Sequence, residues 1–538
     1  MQHLRSLEAT IAELDRDFRG TCRAVLGQEI GAMEEFAEWL SFGNEPMTHA
    51  RSQVSGIEIS SSPPYYQPSG KWLAFEEVDF SKRFAPLSIN EMKDIDSIAQ
   101  ACGERFFYAG NIYFGQSGFI GISSNINDSF YVYRCNGNGN SKYLAYSTVG
   151  RRDLSVYGCN GAEESSHCIK CTRAFRCSRC FEVWMSQNCA DCFYSSGLTG
   201  CSNCFFCFNA KNLRNAIGNV QLPPEKYRAI KQKLIAEIVA HIKQHKSAPT
   251  LLQIAQKCKS HMLSLADAPN GAPEHGNKDA VEKAFLQTTQ LLFGKPLEGG
   301  IDKYGKWLSK QVKIPQVRTS AADGFELFIM PYANYQNLPK DRLLSSAQAA
   351  AHGQAAKMAA ADIKSITLAN AHGKLGALAY FNVEMMEGKC LNLPECQIAS
   401  DSSNCYRASL LRKSKNCGYC FWMDGCENSF GCYGPFDTFS AIHTHYCNTQ
   451  SRTFEIDCCG HCYDSYFLHN CENVRESMFC FGVKNRKNCI GNAELDAPTY
   501  AKVKSALCEQ MWDELSIKRT FKWDIYNIGC GQAKVKPV

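Results

Sequence analysis

No stretch of this 538-residue chain is an apolar run of the ~18 residues that a membrane span needs. The opening "MQHLRSLEATIAELDRDFRG" also lacks the short apolar core of an export signal. The expectation is a protein kept in a cytoplasm or packed into a particle assembled there, without a signal peptide and without a membrane. A net charge of +5, with no long Lys/Arg run, disfavours an electrostatic nucleic-acid binder. Neither a Walker nor a Rossmann phosphate loop is present, and "FGQSGFIG" places Phe119 where a nucleophile elbow needs glycine. These absences remove the usual signs of phosphate, dinucleotide and acyl-transfer chemistry. They predict a chain that is not an enzyme and has no small-molecule substrate.

What the chain has is cysteine, thirty in all. Disulfide scaffolds are usually short and secreted, so here the thiols are expected to be reduced, metal-bound or buried as small apolar groups. They crowd into residues 159–207 and 390–489. "CSRCF", "CADCF" and "CSNCF" begin at Cys177, Cys189 and Cys201, twelve residues apart. Cys168, Cys180, Cys192 and Cys204 keep the same step, as do Cys447, Cys459 and Cys471. A twelve-residue period suits one small coil of a β-solenoid, with successive coils about 4.8 Å apart. Cysteine would line the narrow interior, and Phe181, Phe193 and Phe205 would form a ladder beside it. Short β-rich runs broken by Asn-Gly turns carry the first module back to about residue 110.

Each tract closes on one phrase. "FCFNAKNLRNAIGNVQL" (206–222) returns as "FCFGVKNRKNCIGNAEL" (479–495), 273 residues later and without a gap. The same offset pairs Tyr227, Ile230, Leu234, Ile238 and Ile242 with Tyr500, Val503, Leu507, Met511 and Leu515, one apolar helical stripe in each copy. Gly218 and Gly491 are expected to turn the chain off the last coil, with the helix capping its exposed edge. The fold class is therefore mainly β with α: two short-coil, Cys-rich β-solenoid modules of about twelve-residue period, each capped by a helix and joined by helical segments. The expected division is N-terminal helices over 1–45, mixed α/β over 46–109, the first solenoid over 110–222, and a cap helix and helical linker over 223–300. An α/β segment with an alanine-rich helix follows over 301–384, then the second solenoid over 385–495 and a cap helix and tail over 496–538. Leu4, Leu7, Ile11, Leu14 and Phe18 predict an N-terminal helix packed on its own domain.

The chemical candidate is zinc. Cys177, Cys180, Cys189 and Cys192, from two consecutive CxxC units, could supply four thiolates to a tetrahedral structural site. "HCIKC" (167–171) and "CCGHC" (458–462) offer further ligand types. A buried thiol ladder would produce the same spacing without any metal, so structural zinc and no cofactor both stand. "HTHYC" sets His443 and His445 two apart, and both read as surface or turn residues. No single CxxC differs from its neighbours as a redox site would.

"CENVRESMFCFGVKNRKNCIGNAEL" and "CSNCFFCFNAKNLRNAIGNVQLPPEKY" resemble the repeats of uncharacterised Cys-rich proteins of environmental bacteria, archaea and their viruses, many of which carry a mistaken CoA-transferase label. The resemblance covers about residues 110–245 and 390–516 and brings no catalytic residues. It implies a non-enzymatic structural or assembly protein, with a virion part (capsid, neck or tail) as the specific expectation and protein partners, further copies of itself included, in a larger assembly. The alternative is a zinc-structured module that binds nucleic acid or protein, and the weaker one a metal- or thiol-dependent enzyme.

Overall fold

The computed structural model describes residues 2–259, 263, 276–434 and 436–530. It is mainly β with helices, at 31% strand and 28% helix, and forms no closed barrel among the described residues. The chain divides into two compact units. The first comprises residues 1–45, 113–272 and 316–385, and the second residues 46–112, 273–315 and 386–538.

A three-residue rhythm organises the β part of each unit. From Phe119 to Gly218, and again from Asp401 to Gly491, every third residue has a positive φ. The residue that follows each one supplies the core. In the first unit these include Val132, Leu144, Val156, Cys168, Cys180, Cys192 and Cys204, all fully buried. Strands pair in parallel with partners twelve residues on, as in Val132↔Leu144, Val156↔Cys168 and Cys192↔Cys204. The second unit repeats the step with Ala441↔Thr453 and Leu468↔Cys480. Each left-handed non-glycine residue costs about 1–2 kcal/mol, and asparagine, which tolerates that conformation best, recurs there. Stacked asparagines also bond to one another: Asn392 donates to Asn404 at 2.9 Å, Asn404 to Asn416 at 3.3 Å, and Asn416 to Asn428 at 3.1 Å.

The repeated phrase closes each ladder with an antiparallel hairpin, Ile217↔Val220 in one unit and Ile490↔Ala493 in the other. Gly218 and Asn219, like Gly491 and Asn492, are both at positive φ, the two-residue turn that matches strand twist. The asparagine side chain then does what a further strand would. Asn219 Oδ1 accepts from Phe208 N at 2.8 Å while its Nδ2 donates to Phe208 O at 2.9 Å. Asn492 makes the same two bonds to Phe481. The helices Pro224–His245 and Ala497–Lys518 follow, burying Tyr227, Leu234, Ile238 and Ile242 in the first, and Tyr500, Leu507, Met511 and Leu515 in the second.

The flanking segments cover the ladders. In the first unit the helix Gln2–Leu26 buries Leu14 and Phe18, and Phe18 packs edge-on against Tyr157 at 5.0 Å. In the second the helix Asp279–Phe293 sets Phe285 against Phe430 at 5.3 Å. The alanine-rich stretch is not the single helix its composition predicts. It forms Ser346–Ala355 and Ala360–Ser365, broken where Met358 N donates to Gly218 O at 2.9 Å, because that hydrogen bond to the ladder's closing turn displaces a helical one. Within the expected helical linker, most of "ADAPNGAPEHGNKD" (266–279) lies outside the described residues.

Leu234→Ala and Leu507→Ala each remove a buried side chain from a cap and should destabilise by about 2–5 kcal/mol in chemical denaturation. A loss below about 0.5 kcal/mol at both sites would contradict the capping role.

Candidate functional site: thiol columns and buried acid–base pairs

Cys177, Cys180, Cys189 and Cys192 are buried in the first unit, and the structure brings them together. Cys177 is within hydrogen-bond reach of Cys180 and Cys189, and Cys192 of the same two. Their thiols also face backbone carbonyls. Cys177 Sγ lies 3.5 Å from Phe175 O and 3.6 Å from Ser186 O, and Cys180 Sγ 3.4 Å from Ser178 O. Cys189 and Cys192 approach Gln187 O and Ala190 O at 3.2 and 3.3 Å. Serine does the same work one step earlier in the column: Ser165 Oγ donates to Glu163 O at 3.0 Å and Ala174 O at 3.1 Å. The site thus calls for a small S–H or O–H donor, which a protonated thiol is and a thiolate is not. Burial pushes the Cys135 and Cys396 thiols up to about 12 and raises Cys171 and Cys207 as well, whereas hydrogen bonds from neighbouring thiols hold Cys180 and Cys189 below the ordinary thiol range. Among the described residues no three His, Cys, Asp or Glu side chains form a group that could hold a metal ion. His167 lies outside the inner column and His461 is exposed, away from the cysteines beside them in sequence.

The second constellation is one the sequence reading did not single out. In the first unit Lys170 and Glu182, twelve residues apart, are both buried. Lys170 Nζ donates to Phe42 O at 2.6 Å and Leu40 O at 3.4 Å. Glu182 Oε2 accepts from Leu251 N at 2.9 Å and Trp184 Nε1 at 3.4 Å. With Thr172, Thr250 and Asn334 they line a recess with room for about one water molecule. Burial brings Lys170 down to about 8 and Glu182 up to about 7, and each charge limits the other's shift.

The second unit carries the counterpart at the same 273-residue offset: His443 for Lys170 and Glu455 for Glu182. His443 Nδ1 and Glu455 Oε1 are 2.6 Å apart, and Glu455 Oε2 accepts from Ile525 N at 2.9 Å. Both glutamates therefore hold a backbone N–H of the segment that follows the cap helix. Each ladder also meets a "WLS" segment, with Trp39 against Phe181 at 6.1 Å and Trp307 against Phe454 at 6.2 Å. Beside the second pair, His469 Nδ1 meets Asp457 Oδ2 at 2.9 Å, and its Nε2 accepts from Ala109 N at 2.8 Å. Tyr66 donates to Asp457 Oδ2 at 2.5 Å. His443 and His445 are thus fully buried, which corrects their reading as surface or turn residues. The sequence hides this because the covering layer comes from remote segments. Burial, reinforced by His443, holds His445 well below the usual imidazole range, and burial raises Glu455. The signal available in the sequence was the second "WLS", at 307–309, together with the continuing offset.

What the pairs can do chemically is pin a cover to a ladder. Glu182→Gln alone should destabilise by about 1–3 kcal/mol, by weakening the charge-assisted bond to Leu251 N and leaving the burial of Lys170 less compensated, and Lys170→Met/Glu182→Gln should recover part of that loss in urea unfolding. An additive double variant would count against the pair.

His445 gives a pH dependence. Its folded form resists protonation, so the stability it contributes is present above the ordinary imidazole value near 6.5 and falls on acidification at about 1.4 kcal/mol per pH unit. Glu455, raised on folding, acts in the opposite sense as it protonates. His445→Thr, which installs the residue found at the equivalent Thr172, should flatten stability between pH 6.5 and 5; an unchanged slope would show that His445 does not set it.

No helix among the described residues is long and apolar enough to cross a membrane. No protein-family model, curated protein or solved structure matches the chain.

Proposed function

We propose that the chain is a non-enzymatic structural protein, built as two capped β-solenoids of four three-residue sides per coil and serving as a rigid component of a larger protein assembly. One observation carries this reading. The most reactive-looking groups, Lys170 with Glu182 and His443 with Glu455, are buried, and Lys170, Glu182 and Glu455 are bonded to the backbone of the segments that cover them. Rigidity follows from strand pairing at every step and from interiors of small, buried thiols. The specific role is a virion part, a capsid, neck or tail component, on the strength of the resemblance in the repeated phrase. Its partners are other proteins, further copies of this chain included. Quantitative mass spectrometry of purified native particles should find the chain in fixed, multi-copy stoichiometry with the other structural proteins. A chain left in the soluble fraction while particles assemble without it overturns the virion role.

Zinc is the second reading, favoured by the adjacency of Cys177, Cys180, Cys189 and Cys192. Under the scaffold reading, the purified chain contains well under one zinc per such cluster and keeps its circular dichroism in strong chelator. Its thiols become titratable on denaturation. Stoichiometric zinc whose removal unfolds the first unit would reverse that choice, because structural metal binding is folding energy.

A further inference from the structure

We infer that the chain is a tandem fusion of one arm-exchanging module, in which each half completes the other by lending it an arm: residues 46–112 from the first half and 316–385 from the second. The duplication reaches well beyond the Cys-rich tracts. "GAMEEFAEWLS" (31–41) has its counterpart in "GGIDKYGKWLS" (299–309). The 3-10 turns Met33–Phe36 and Ile301–Tyr304 occupy equal places in them. The preceding helices, Gln2–Leu26 and Asp279–Phe293, both end at a left-handed glycine, Gly27 and Gly294.

The arms correspond as well. Each opens with an antiparallel hairpin of matching register, Thr48↔Ser61 with Arg51↔Glu58 in one and Gln316↔Ile329 with Thr319↔Glu326 in the other. Each closes with a short parallel pair, Leu73↔Ala109 and Leu343↔Phe381. Their C-terminal junctions, after Ile112 and after Met385, lie 273 residues apart, the same offset as the ladders.

Yet each arm belongs to the unit built on the other half's ladder. In the second unit, the first half's arm stacks Phe106 on Phe481 at 4.4 Å and brings Tyr66 and Ala109 to the Asp457–His469 pair. In the first unit, the second half's arm stacks Tyr335 on Trp184 at 6.0 Å, hands Asn334 to Thr172 at 3.2 Å, and accepts from Asn209 Nδ2 through Tyr380 O at 2.9 Å. Equivalent segments exchanged reciprocally are the signature of domain swapping, here contained in one chain. Each buried site is incomplete without the other half.

The test uses the full chain with a site-specific protease sequence inserted between Lys259 and Gly276, cut after folding. The two fragments should elute together at the mass of the intact chain and separate only at the urea concentration where circular dichroism is lost. Two further versions carry a photo-crosslinking benzoylphenylalanine, one replacing Phe106 and one replacing Tyr335. After cleavage and irradiation, each should join the fragments into a band of full-chain mass. Peptide mapping should place the links near Phe481 and Trp184. Links confined within one fragment, or fragments that part while still folded, overturn the inference. Cleavage of the unsubstituted chain keeps the test decisive if either photo-variant fails to fold.

Discussion

A corner every third residue governs this protein. Once φ turns positive at that interval, the next side chain faces inward, and most of the residues found there are small or medium in size. Such a backbone is unfavourable residue by residue, at about 1–2 kcal/mol for each non-glycine corner. It persists because parallel hydrogen bonding to the steps on either side fixes it, and because asparagine and glycine occupy many of the corners. The composition follows from the geometry. In the two tracts the core cysteines sit where the inward side chain must be compact and able to donate to a carbonyl two residues back, a job serine shares.

Under that constraint CxxC takes on a different meaning. Two cysteines three residues apart each follow a positive-φ corner, so the motif measures the spacing of the corners. The twelve-residue step was legible because Cys177, Cys189 and Cys201 head identical phrases. The shorter rhythm was equally present, since Cys168, Cys171, Cys177, Cys180, Cys189 and Cys192 all lie at multiples of three from one another. It is harder to read because the intervening corner has no residue type of its own: Arg179, Glu182, Met185 and Tyr194 all adopt positive φ.

The closing turns and cap helices were readable for a different reason. They are local, and Gly218, Asn219 and the stripe from Tyr227 to Ile242 each act within a few residues of themselves. The buried acid–base pairs were not readable that way. Lys170 and His443 look like ordinary polar corners until Leu40 and Phe42, or the segments carrying Trp307 and Ile525, are laid over them. A covering layer drawn from tens to hundreds of residues away leaves no periodic trace at the residue it covers. The broken alanine-rich helix has the same origin, since one backbone bond from Met358 to Gly218 outweighs local helix preference.

The crossed arms also set a timetable for synthesis. Ribosomes emit chain from the N-terminus at about 5–20 residues per second. The first ladder and its cap are complete by residue 245, but residues 316–385, which belong to the same unit, follow only after on the order of ten seconds. The arm at 46–112 waits longer still, until the ladder that ends at residue 491 has emerged. During that interval Tyr66, Trp72, Phe106 and Tyr108, all buried in the finished protein, have no surface to rest on. A nascent chain of this design presents an aromatic-rich segment to the cell for most of its own translation, and chaperones that bind exposed aromatic segments would meet it there first.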